Sequence, residues 1–211
     1  MVKNEVSVYA EGGGDKRPVL ESELRRGFSD FFDKAGLHNR KPKVIACGSR
    51  ENAFKDFCLA IAQGQNALLM VDSEKPISPA HEPPTGNQFL PWDHLKSSDN
   101  WDKPHQATDT DCHLMVQCME SWFIADWETV ARFFGKDYKD TAKPSQTSEN
   151  ISKDEVFKAL AKATRDCKSG AYGKGPHSFK LLALIKPDRV SEASPWAKRF
   201  IDEILKRKSI N

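Results

Sequence analysis

Apolar and polar side chains alternate from Glu5 to Ala10 (EVSVYA), and Gly12, Gly13 and Gly14 follow at once. That pattern predicts a strand stopped by a tight turn. The period then changes: Leu20, Leu24, Phe28, Phe31, Phe32 and Ala35 recur at helical spacing, with Gly36 placed as a C-cap. Lys43 to Cys47 (KVIAC) reads as a second strand, turned by Gly48-Ser49-Arg50 into a helix through Ala53, Phe54, Phe57, Cys58 and Ile61 that stops near Gly64. Asn66 to Val71 (NALLMV) is an unbroken apolar run, as expected of a strand covered on both faces, and it ends in Asp72-Ser73-Glu74. His113 to Cys118 (HLMVQC) reads as a further buried strand, followed by an amphipathic helix from Trp122 to Phe134 closed by Gly135.

Residues 75–111 show no usable periodicity and are rich in Pro, His, Trp and Asp, which suits a functional insertion. Its Trp92 and Trp101, near His81, His94 and His105, either stack on unpaired bases or anchor the insertion on the core; anchoring is the commoner use. A polar connector spans 139–152, and Ser152-Lys153-Asp154-Glu155 forms a capping-box pattern for a helix carrying Val156, Leu160 and Ala163. The Gly-rich turn at 170–175 leads to a helix through Phe179, Leu182 and Ile185, and Ser194-Pro195 opens a last, basic helix. Alternation of strands and helices predicts an α/β fold with a central, mostly parallel sheet flanked by helices. Residues 1–138, including insertion 75–111, form the expected core; 139–211 form a helical, basic extension packed on it.

The composition narrows the partners. No apolar run approaches the roughly 20 residues a membrane helix needs, and the first residues lack the apolar stretch of a secretory signal. A cytoplasmic protein without a membrane partner is expected. Five cysteines occur without a single C-x-x-C, so reduced thiols are expected rather than a zinc site. The net charge of +2 conceals an asymmetry: residues 151–211 hold 14 Lys and Arg against 7 Asp and Glu, whereas the rest of the chain is acidic. A site that concentrates metal ions beside a surface that attracts phosphates would look like this, and so would ordinary solvated helices.

The candidate chemistry lies at strand ends. Glu11 closes the first predicted strand, Asp72 and Glu74 close the third, and Glu120 follows the fourth. In open parallel sheets such ends converge on one crevice. Carboxylates gathered there repel one another unless a cation neutralises them, and Mg²⁺ or Mn²⁺ prefers such hard oxygen ligands. Each residue also has a plainer use: Glu11 as part of a glycine turn, Asp72 and Glu74 as helix-start residues, Glu120 as a cap. Arg50, after the second strand, is placed to grip a phosphate or merely to open a helix. In GKGPHSFK, Lys174 between Gly173 and Gly175 ahead of a helix suggests an anion site with Lys180 one turn on, although the P-loop spacing is absent. His177 there could assist proton transfer, but a lone histidine before a helix more often caps it or faces solvent.

Ala10-Glu11-Gly12 and Val71-Asp72-Ser73-Glu74 resemble the E-G and D-x-D/E signatures of the Toprim domain found in topoisomerases, primases and nucleases associated with OLD-type ATPases. Cys118-Met119-Glu120-Ser121-Trp122 looks like the E-x-W segment of small RloB-like Toprim proteins. The chain as a whole is similar to a bacterial family of unknown function with a Toprim-like core, whose members carry E-G-G-G, C-G-x-R, V-D-S-E, H-L-M-V-Q-C-M-E-x-W and G-K-G-x-H-S-F-K. The resemblance implies a Rossmann-like sheet and a Mg²⁺-dependent nuclease acting on DNA or RNA. In that reading Glu11 is a general acid/base or metal-associated carboxylate, Asp72 and Glu74 bind the metal, and Glu120 is an added acidic ligand. Gly12, Gly13, Arg50, Lys174 and Lys180 would hold substrate, with His177 assisting. Glu74 departs from the usual second Asp, and no tyrosine-bearing domain for strand passage is evident, so hydrolysis is the simpler chemistry. The resemblance also implies an effector of antiphage defence working with an ATPase partner. The rival expectations are a non-hydrolytic metal/nucleotide-binding or ATPase-interaction module and a small primase-like phosphotransferase.

Overall fold

The computed structural model describes residues 5–14, 17–83 and 88–209. Four strands, β1 (Ser7–Ala10), β2 (Lys43–Ala46), β3 (Ala67–Asp72) and β4 (Cys112–Met115), form one all-parallel sheet in the order β2-β1-β3-β4. The register pairs Ala10 with Ala46 on one side and with Met70 on the other, and Asp72 with Met115. Parallel pairing requires crossovers, which are supplied by α1 (Pro18–Phe32) and α2 (Arg50–Ala62) and by the segment containing α3 (Pro91–Asp99).

Both faces of the sheet are covered, which is why β3 is apolar without a break from Ala67 to Val71. Val8, Ala10, Leu68 and Met70 point to one core with Leu24, Phe28, Phe31 and Phe32 of α1. The alternate residues Tyr9, Leu69 and Val71 meet Ala53, Phe57 and Ile61 of α2 and Trp92 of α3 on the other. Beyond β4, α4 (Ser121–Ala125) and α5 (Trp127–Phe134) lead to α6 (Lys153–Thr164), α7 (Lys174–Leu184), α8 (Pro187–Ala193) and α9 (Pro195–Ser209). The capping box at Ser152 and Glu155 is present, α7 lies along α1, and α9 packs on β4.

Four expectations shift. The insertion is not structureless: it contains α3 and 3-10 turns at Pro79–His81 and Asp109–Asp111, while residues 84–87 lie outside the described residues. Helix α3 escaped the periodicity because it is nine residues long, opens on Pro91 and buries His94 beside Trp92 and Leu95. Its tryptophans are anchors, Trp92 buried near Phe57 and Trp101 stacked on Phe54 at 4.4 Å between ring centroids. The helix expected over 122–134 breaks at Asp126, whose carboxylate accepts the Lys186 N–H at 2.8 Å and so serves a distant turn. The strand expected over 113–118 ends at Met115, because Gln117 takes a left-handed φ of 59° and gives its N–H to Ser73 Oγ. Gly36, at φ 84°, lies inside the π-helical turn Asp33–Leu37 rather than ending α1.

Candidate metal centre

The chain leaves β1 toward β2 on one side and later adds β3 on the other, so the sheet's switch point lies between β1 and β3. Ligand sites in such sheets form outside the carboxyl ends of the strands at that point. Glu11 follows β1 directly and Asp72 is the last residue of β3. Gly12, Gly13 and Gly14 run at φ 115°, 87° and 68°, conformations that disfavour a side chain. A Cβ on Gly13 would also lie 3.1 Å from the Glu21 Cα. Gly12 exchanges both backbone hydrogen bonds with Gly48, tying the turn to the end of β2.

This turn sends the Glu11 side chain across to β3, where Oε2 accepts the Asp72 N–H at 3.0 Å. Asp72 is buried, and its Oδ1 accepts the Met119 N–H at 2.9 Å. Glu74, at φ 61°, turns back toward the pair. One carboxylate oxygen from each of Glu11, Asp72 and Glu74 lies within 4.8 Å of the others. A cavity of about 310 Å³ adjoins them, walled by the glycine turn, Arg17, Lys174 and the apolar Leu20, Met115, Met119 and Phe179.

The electrostatics follow from that crowding. Burial raises the Glu11 pKa above the ordinary carboxylate value, and Glu74 adds to the rise; the Asp72 N–H and Arg50 oppose it. Asp72 is raised well above its ordinary value by burial, then by Glu11 and Glu120, with Lys174 and Lys153 pulling the other way. Lys153 answers this charge directly. Its Nζ lies 2.6 and 2.7 Å from the two Glu74 oxygens and 3.7 Å from Asp72 Oδ2. Burial opposes the Lys153 charge, but the Glu74 hydrogen bonds and the Asp72 charge raise its pKa above that of an ordinary lysine. The three carboxylates, two of which already draw an ammonium, offer hard oxygen ligands that could hold a small divalent cation.

The other sequence candidates are distributed differently. Glu120 stands apart from the three: fully buried, it accepts Tyr172 O–H and Ser178 O–H on Oε1 at 3.0 Å each, and its Oε2 has no hydrogen-bond partner. Arg50 builds the site instead of lining the cavity. Its Nη atoms reach Asp99 at 2.5 and 3.1 Å, Nε donates to the Asp72 carbonyl at 3.1 Å and lies 3.5 Å from Glu11, and the guanidinium covers Trp101. Lys174, the first residue of α7, lines the cavity, and among the described residues it has no hydrogen-bond or ion-pair partner. Glu120 and Asp72 raise its pKa against the effect of burial. His177 is spent locally: its Nδ1 accepts the Gly173 N–H at 2.9 Å and its ring packs on Phe133, Phe134 and Tyr172. Lys180 faces a separate groove with Glu23 and Asp30. Lys153, Tyr172 and Ser178 were not anticipated. The capping box marked the start of α6, but nothing local tells that Lys153 meets a carboxylate 79 positions away.

Fold and site define an α/β protein of Rossmann-like topology with an acidic cluster at the sheet's switch point. Residues 10–205 match the model of the Domain of unknown function DUF4276, and the chain belongs to that family. No curated protein and no solved structure matches the chain.

Proposed function

We propose that this chain is a Toprim-like, metal-dependent nuclease that hydrolyses phosphodiester bonds of DNA or RNA. The observation that carries the reading is the meeting of Glu11, Asp72 and Glu74 within 4.8 Å at the switch point of a parallel sheet, in the chain order of the E-G and D-x-E signatures. A Mg²⁺ or Mn²⁺ ion held by these carboxylates would supply an acidified water and neutralise charge on the scissile phosphate.

The chain's own residues do the rest. Asp72 is fixed by the Met119 N–H, and Arg50 steadies Glu11 against Asp72. Glu11, whose pKa burial raises above the ordinary carboxylate value, is placed to take and return a proton. The unpaired Lys174 ammonium faces the cavity, where a non-bridging phosphate oxygen would find a cation. The Toprim resemblance extends the proposal to a cytoplasmic effector in antiphage defence working with an ATPase partner.

The test is cleavage of DNA and RNA with and without Mn²⁺, comparing the parent protein with Glu11→Ala and Asp72→Ala. Metal-dependent cleavage lost in both variants is the expected result; cleavage that survives both would remove this site from the reaction. Mn²⁺ binding without cleavage of any substrate would favour the non-hydrolytic module, and nucleotide incorporation on a template would favour a primase-like enzyme.

A further inference from the structure

The cation already seated in the acidic site belongs to the chain. Lys153 engages both oxygens of Glu74 and approaches Asp72, so it covers the lone pairs that a metal would use on the Glu74 side. An ammonium and a divalent ion in that space repel each other and compete for the same oxygens.

The way Lys153 is mounted permits exchange. The backbone at the start of α6 is secured without its side chain, because Ser152 accepts the Glu155 N–H while the Glu155 carboxylate accepts the Ser152 N–H. The lysine side chain is 28% exposed and has a flexible four-carbon stem, so the ammonium can swing to water while the helix stays in place. Glu74 is 35% exposed, so the ion pair opens toward solvent. Asp72, by contrast, is buried and held by the backbone, and it stays where it is.

We propose that Lys153 is a tethered counter-ion that occupies the Glu74 side of the site until a divalent cation displaces it. This rests on the metal-site reading above. Lys153 thereby tunes metal affinity downward and offsets the Glu74 charge when no metal is bound.

Calorimetric titration with Mn²⁺ tests this on the parent and on Lys153→Met, which keeps the apolar stem and removes the charge. The variant should bind Mn²⁺ about tenfold more tightly or better, since one competing charge is gone. Equal or weaker binding overturns the proposal. A second measurement uses the unmodified protein alone and so does not depend on the variant's folding: amine labelling of Lys153 with acetic anhydride, read by peptide mass spectrometry. Labelling should rise several-fold when Mn²⁺ is added, and labelling that is unchanged or falls overturns the proposal. If neither protein binds Mn²⁺, the metal reading fails and this inference with it. Binding by the parent that is insensitive to the Lys153 substitution defeats this inference alone.

Discussion

Asp72 shows what the site costs the fold. Burial first, then the neighbouring charges of Glu11 and Glu120, raise the Asp72 pKa well above the ordinary carboxylate value, so ionising this side chain opposes folding. Asp72→Asn keeps an oxygen for the Met119 N–H and removes that charge. Without metal, the variant should be more stable by the order of 1 kcal/mol in urea denaturation, while Mn²⁺ binding and any metal-dependent cleavage are lost. A destabilised variant would contradict this account of the cluster. Arg50 poses the opposite case. Sequence position suggested a phosphate grip, whereas its contacts to Asp99, Trp101, Glu11 and the Asp72 carbonyl make it a strut of the site. Arg50→Lys should cost about 2–3 kcal/mol of stability, because a point charge cannot reproduce the paired bonds and the stacked guanidinium. A neutral effect on denaturation would restore the phosphate role.

Between elements, the contact of α1 with α7 decides where Lys174 stands. Gly27 lets the two helices approach: a Cβ there would sit 2.8 Å from the Phe179 carbonyl oxygen, which is backbone and cannot step aside. Gly27→Ala should therefore destabilise by about 1–3 kcal/mol in denaturant titrations, although alanine on an exposed helix would stabilise by about 1 kcal/mol. Because the clash pushes at the middle of α7, the same variant should loosen the cavity wall made by Phe179 and Lys174. Sequence periodicity placed a helix on each side of this contact. It could not reveal that Gly27 is a contact surface, since an isolated glycine in a helical pattern reads only as a weak position.

Across the whole molecule, Glu149 joins the connector after α5 to the C-terminal helices. Its carboxylate accepts the Ser194 O–H and the Trp196 N–H, while its backbone carbonyl accepts Gln117 Nε2. Burial, with Glu82 as a like charge, raises its pKa from 4.5 to about 7. The folded protein thus holds a proton that the unfolded chain releases at lower pH. Stability from this group is greatest below about pH 4.5, falls as pH rises toward 7, and is flat above. Glu149→Gln, whose amide oxygen can accept the same two bonds, should flatten the melting temperature between those pH values. An unchanged slope would assign the dependence to other groups.

Much of this protein was legible in the linear chain, because covering both faces of a sheet demands an unbroken apolar run and helices demand their own period. Those rules located β3 and α2; alternation located β1, a short run before a glycine turn located β2, and residue type located the capping box of α6 and the acids at the strand ends. Short or interrupted elements escaped them: α3 buries a histidine among its apolar residues, and Asp126 breaks a helix to bind the distant Lys186 N–H. The partners of the site are tertiary facts. Lys153, Tyr172 and Ser178 come from the C-terminal third, and only folding brings them against Glu74 and Glu120. The physical reason is reach. Periodicity records which side of an element is buried, but the partner of a charge is chosen by where two distant segments end up in space.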